Sequence, residues 1–86
     1  MNASELRRAH LKVLGTFFDY RWKIAEKYGI VRFNLSMGIE GFNSDEWELV
    51  ASEEERKQAT ILDNETKKAW QAYQEALREE ERIIRK

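Results

Sequence analysis

The sequence contains no cysteine, no proline, a single histidine and only four glycines in 86 residues. Without thiols there is no disulfide scaffold, no thiolate metal site and no cysteine nucleophile, so a reducing compartment suits the chain. With one imidazole, His10, a single chain cannot assemble a histidine ligand pair or a Cys–His dyad. No run approaches 18 consecutive apolar residues, and Met1-Asn2-Ala3-Ser4-Glu5 has neither the basic start nor the apolar stretch of a secretion signal. The expectation is a soluble, cytoplasmic protein that does not enter a membrane. Gly38-Ile39-Glu40-Gly41 is too short to cradle a phosphate, and no glycine-rich loop opens a helix. These absences leave no catalytic residue, cofactor or metal ligand to assign, and an enzyme is not expected.

What remains is 42% hydrophobic and 36% charged, with four Phe, three Tyr and three Trp. That aromatic content is too high for a disordered chain. Residues 1–86 are short enough to form one domain with a thin core.

Residues 4–28 predict the first helix. Ser4 offers an N-cap, Glu5 follows in the first turn, and Gly29 stands where a glycine ends a helix. One apolar stripe runs through Leu6, Ala9, Val13, Phe17, Tyr20, Ile24 and Tyr28, and a second beside it through Leu11, Leu14, Phe18, Trp22 and Ala25. At 100° per residue the two stripes sweep roughly 220° of the circumference, about twice the arc a surface helix needs. One neighbouring element cannot cover that arc. His10, at its edge, reads as a packed or interfacial residue rather than a base.

Val31 to Met37 alternates apolar with polar, the period of a half-buried strand, and Trp47-Glu48-Leu49 alternates again into Ala51. The reading is a hairpin over 31–51 with Phe33, Leu35, Trp47 and Leu49 on its apolar face. A short helix capped by Ser44 and running through Trp47 and Val50 competes for the second half, giving an all-α three-helix arrangement as the alternative.

Residues 52–86 read as a long helix opened by the capping box Ser52-Glu53-Glu54-Glu55. Ala59, Leu62, Ala69, Trp70, Tyr73, Leu77 and Ile84 share a face with a heptad-like beat. Asp63-Asn64-Glu65 is a point at which this helix can break, because those side chains compete for backbone hydrogen bonds.

The fold class is therefore α+β and mostly helical, in the order helix, hairpin, long helix. A lone two-stranded hairpin is marginal in water, and the first helix displays more apolar surface than one partner hides. Both features argue for a homodimer. The competing arrangement is a monomer whose hairpin and last helix cover opposite sides of the first.

The net charge of −1 conceals an uneven layout: residues 1–33 carry +4, residues 34–65 carry −7 and residues 66–86 carry +2. Between Glu40 and Glu55 lie seven acids and no base. The plain reading places Glu53, Glu54 and Glu55 in a helix first turn and the others on wet surface. A second takes Glu40, Asp45, Glu46 and Glu48 as an acidic surface imitating a phosphate backbone. A cation site is disfavoured, since the spacing lacks the calcium-loop pattern. The basic residues Arg7, Arg8, Lys12, Lys23, Lys27 and Arg32 are interrupted by Asp19 and Glu26, and a pI near 5.9 argues against nucleic acid as a partner.

The functional expectation is a non-enzymatic protein–protein interaction module, a regulator or adaptor acting as a homodimer on an unidentified protein partner. Its candidate contact residues are Phe18, Trp22, Ile39, Phe42 and Trp47. A short, charge-rich chain with more aromatic surface than it can bury is of the kind seen in small bacterial and phage accessory proteins, a likeness of composition that assigns no residue a role. The alternative is a nucleic-acid-related regulator, either an acidic inhibitor acting through residues 40–55 or a weak binder acting through the basic first helix.

Overall fold

A computed structural model describes residues 2–84. Helix α1 spans Ala3–Lys27, strands β1 and β2 span Arg32–Asn34 and Ile39–Gly41, helix α2 spans Ser44–Val50, and helix α3 spans Glu53–Ile84. At 1.5 Å per residue α1 is about 37 Å long and α3 about 48 Å. They lie antiparallel: near one end the Ala3 amide donates to Glu80 Oε1 (3.1 Å), and near the other Lys27 pairs with Glu55 (2.9 Å). The hairpin and α2 form a head at the end where α1 stops and α3 begins.

The first helix begins at Ala3, so the expected N-cap Ser4 lies inside it. Asn2 is the N-cap, its side chain accepting from the Glu5 amide (2.9 Å). Gly29 takes φ +68° just past the helix, as its position in the sequence implies, and its amide donates to the Glu26 carbonyl (3.1 Å). The Ser52–Glu55 capping box forms in both directions, at 2.7 and 3.1 Å. Helix α3 runs through residues 63–65 without a break. Asp63 there pairs with Lys67 (3.0 Å) instead of competing for the backbone.

The helix–hairpin–helix order holds, but the hairpin is much shorter than 31–51. Its register pairs Arg32 with Gly41, Phe33 with Glu40 and Asn34 with Ile39. The chain reverses at Leu35–Gly38 because Asn34 closes the turn twice: its side chain accepts from the Met37 amide (3.1 Å) and its carbonyl from Gly38 (2.8 Å). Gly38 supplies the left-handed φ of +68° that the turn requires.

The expected second strand at Trp47–Ala51 is a correction: that segment is helix α2 and its C-cap. Asn43 caps it, accepting from the amides of Asp45 (2.8 Å) and Glu46 (3.1 Å), and the acids Asp45 and Glu46 sit in its first turn. Trp47 and Ala51 turn inward at helical spacing, whereas Leu49 is 83% exposed. Phe33 and Leu35, expected on a covered hairpin face, are exposed too. The core gathers Ile24, Ala25, Ile30, Trp47, Ala51 and Ala59 where the head meets the two long helices.

Candidate interaction surface

Trp47 organises the head. It is fully buried, its indole N–H donates to the Arg21 carbonyl (2.9 Å), and the Arg21 guanidinium lies over its ring, 5.1 Å from the centroid. Arg21 also lies over Phe17 (5.6 Å) and Phe42 (5.2 Å). Trp47 therefore leaves the set of candidate contact residues: it is core, and no partner can reach it.

The other four candidates stand at or near the surface. Trp22 and Phe42 are half-buried and meet edge to face with centroids 6.0 Å apart, joining α1 to the end of the hairpin. Ile39 is exposed on β2 and helps to line a shallow hollow that also includes Phe33, Met37 and Phe42. Phe18 is 56% exposed on the rim of a groove between α1 and α3.

That groove, about 480 Å³, is walled by Leu14, Phe17, Phe18 and Arg21 of α1, by Ala59, Thr60, Asp63 and Thr66 of α3, and by Ser44 and Glu48 of α2 at its head end. The groove takes Phe17 from the first apolar stripe of α1 and Leu14 and Phe18 from the second, while Ile24 of the first and Ala25 of the second are buried in the core. Leu11, one heptad before Phe18, is 47% exposed. On α3, Trp70 lies one turn beyond Thr66, 46% exposed, with its ring against His10 at 5.1 Å and against Tyr73 at 5.8 Å. His10 is a packed residue of this seam.

Sequence reasoning missed the hairpin tip. Leu35 is 88% exposed and Met37 is also exposed, on a turn held by Asn34 and Gly38. The signal lay in Asn34 and Gly38, a turn pair inside what the alternation presents as one strand.

The four acids of the proposed acidic surface stand in different settings. Glu46 pairs with Arg32 (2.8 Å), whose hydrogen bond holds its carboxyl below the usual range. Glu48 lines the groove, Asp45 lies in the α2 first turn, and Glu40 is exposed on β2. Lys27 and Arg32, two members of the basic set, are engaged in ion pairs with Glu55 and Glu46.

The strongest electrostatic feature is Glu55. Its carboxylate accepts from the Ser52 amide (2.7 Å), the Tyr28 hydroxyl (2.7 Å) and Lys27 Nζ (2.9 Å). Those donors, the Ser52 amide foremost, hold its pKa down to about 2. This hub fastens the end of α1 to the start of α3.

Among the described residues no three His, Asp or Glu side chains converge to hold a metal, and no helix is long and apolar enough to cross a membrane. No protein family matches the chain, and comparison with curated proteins and with solved structures finds no significant match.

Proposed function

We propose that this chain is a small, non-enzymatic protein–protein interaction module, a regulator or adaptor that works as a homodimer and holds a protein partner with its hairpin head. The observation that carries this reading is the hairpin tip. Leu35 and Met37 project from a turn fixed by two hydrogen bonds to Asn34 and by the left-handed Gly38. Large apolar side chains on a fixed turn lose little freedom when a partner covers them, which is how a small surface becomes an energetic centre of binding. Ile39 and Phe42 extend the apolar area beside the tip.

The phosphate-mimic alternative needs an unbroken acidic surface, and Arg32 interrupts it at Glu46. Direct binding of nucleic acid through α1 needs an uninterrupted basic row, and here Asp19 and Glu26 break it and Lys27 is already paired with Glu55.

The test is affinity capture from a lysate of the source organism with the wild-type chain beside the double variant Leu35→Asp, Met37→Asp. Both sites are exposed, so the variant keeps its helical circular dichroism. The reading predicts a captured protein with the wild type that is lost with the variant. Equal capture by both would remove the hairpin from the function.

A further inference from the structure

The groove between α1 and α3 has the properties of half a seam. We propose that a second copy of this chain fills it, two helical hairpins stacking groove to groove into a four-helix bundle. This rests on the reading of the chain as a homodimer and adds the face by which the copies meet.

The first support is area. The chain exposes 6759 Å², whereas a compact monomer of 10.3 kDa exposes about 5,400 Å². The surplus, roughly 1,400 Å² per chain, is spread over the groove, the hairpin tip and the end of α3, and is large enough to include one chain's share of a permanent homodimer interface. The second is shape. The radius of gyration is 16.9 Å, against about 12 Å for a compact domain of this length. The extents are 54 × 33 × 17 Å. Along most of its length the molecule is a single layer of two helices, and a helix layer buries its apolar stripe only against a second layer.

The third support is which side chains lack cover. Leu11, Leu14 and Phe18 repeat at intervals of three and four, the spacing with which helices interlock in bundles. On α3, Trp70 is 46% exposed although its ring meets His10 and Tyr73. Charge agrees: Arg21 has no carboxylate partner among the described residues, and Glu48 lines the α2 wall of the same groove, while Asp63 on the α3 wall is already paired with Lys67. A surface carrying both signs around an apolar stripe can pair with its own copy across a two-fold axis.

Sedimentation equilibrium on the full chain tests this with three proteins: the wild type, Leu11→Glu with Phe18→Glu, and Leu35→Asp with Met37→Asp. The proposal predicts 20.6 kDa, twice the chain mass of 10.3 kDa, for the wild type and the hairpin variant. It predicts 10.3 kDa for the groove variant, with unchanged helical content. A dimeric wild type whose groove variant stays dimeric, or whose hairpin variant alone dissociates, overturns the groove as the seam and leaves the homodimer standing. A wild type that is monomeric at high micromolar concentration overturns both. Should the groove variant lose its helices, single cysteines answer on a folded chain that has no others. Maleimide labelling of Thr60→Cys, on the groove wall, slows as concentration rises, while labelling of Ser36→Cys at the hairpin tip does not. Equal, concentration-independent rates at both positions overturn the proposal.

Discussion

The indole of Trp47 and the backbone carbonyl of Arg21 are joined by a 2.9 Å hydrogen bond, so a fully buried side chain fastens the shortest helix to α1. Around this contact Ile24, Ala25 and Ala59 supply the packing. The head therefore has one dominant anchor, and the long helices hold each other separately.

Removing that anchor has a large cost. Trp47→Ala loses a fully buried aromatic and leaves a cavity, a change worth about 3–5 kcal/mol. Trp47→Phe keeps most of the apolar volume and loses the hydrogen bond, costing about 1–2 kcal/mol. Urea unfolding followed by circular dichroism gives both values, with the alanine variant the less stable. Equal stability of the two variants would show that packing around the ring contributes little.

Acid acts on Glu55. Its pKa is lowered from an ordinary 4.5 to about 2, so the folded state holds fewer protons than the unfolded one across that interval. The stabilisation is fully present above pH 4.5 and is lost as pH falls from there towards 2. Glu55→Gln removes the carboxylate and with it this part of the acid dependence. Unfolding midpoints of the two proteins converge at low pH and separate above pH 5, with the wild type the more stable. Parallel curves across the whole range would contradict the assignment.

Two caps are separately measurable. Ser52→Ala frees the Glu55 amide at the start of α3, and Asn43→Ala frees the amides of Asp45 and Glu46 at the start of α2. Each substitution costs about 1 kcal/mol. The Asn43 change acts on the head, so amide exchange around Trp47 accelerates more than exchange in the middle of α3. Uniform acceleration throughout the chain would show that head and helices open as one unit.

Gly38→Ala tests the turn. At φ +68° an added Cβ costs about 1 kcal/mol even though nothing lies within 4 Å of where it would sit. Local exchange of the Met37 amide accelerates and partner capture weakens, while the mass of the assembly stays the same. Unchanged exchange at Met37 would mean that the turn does not depend on glycine.

The long helices were legible because their signals are long and redundant. Twenty-odd residues of apolar periodicity, Gly29 past the end of α1 and the Ser52–Glu55 capping box all agree. The head was less legible because its elements are short. Trp47-Glu48-Leu49 satisfies a period of two over three residues, and only Val50 and Ala51, which continue the helical spacing from Trp47, distinguish the helix that forms. Asn43, not Ser44, supplies its cap. Val31 to Met37 alternates without a fault, yet Asn34 and Gly38 end the strand at its third residue through local hydrogen bonds that alternation does not register. Of the candidate contact residues, Phe18 and Ile39 are exposed and Trp22 packs on Phe42. Trp47 was misplaced because a tryptophan in a short element carries no sequence mark that separates anchor from surface.

The most direct test of the account is small-angle X-ray scattering from the unmodified chain at high micromolar concentration, which reports mass and dimensions together. Two copies joined along their grooves give a forward scattering mass of 20.6 kDa, twice the 10.3 kDa chain, and a particle thicker than one helix layer. A mass of 10.3 kDa with a radius of gyration near 16.9 Å would show a single elongated chain whose apolar stripe stands in water, and would contradict it.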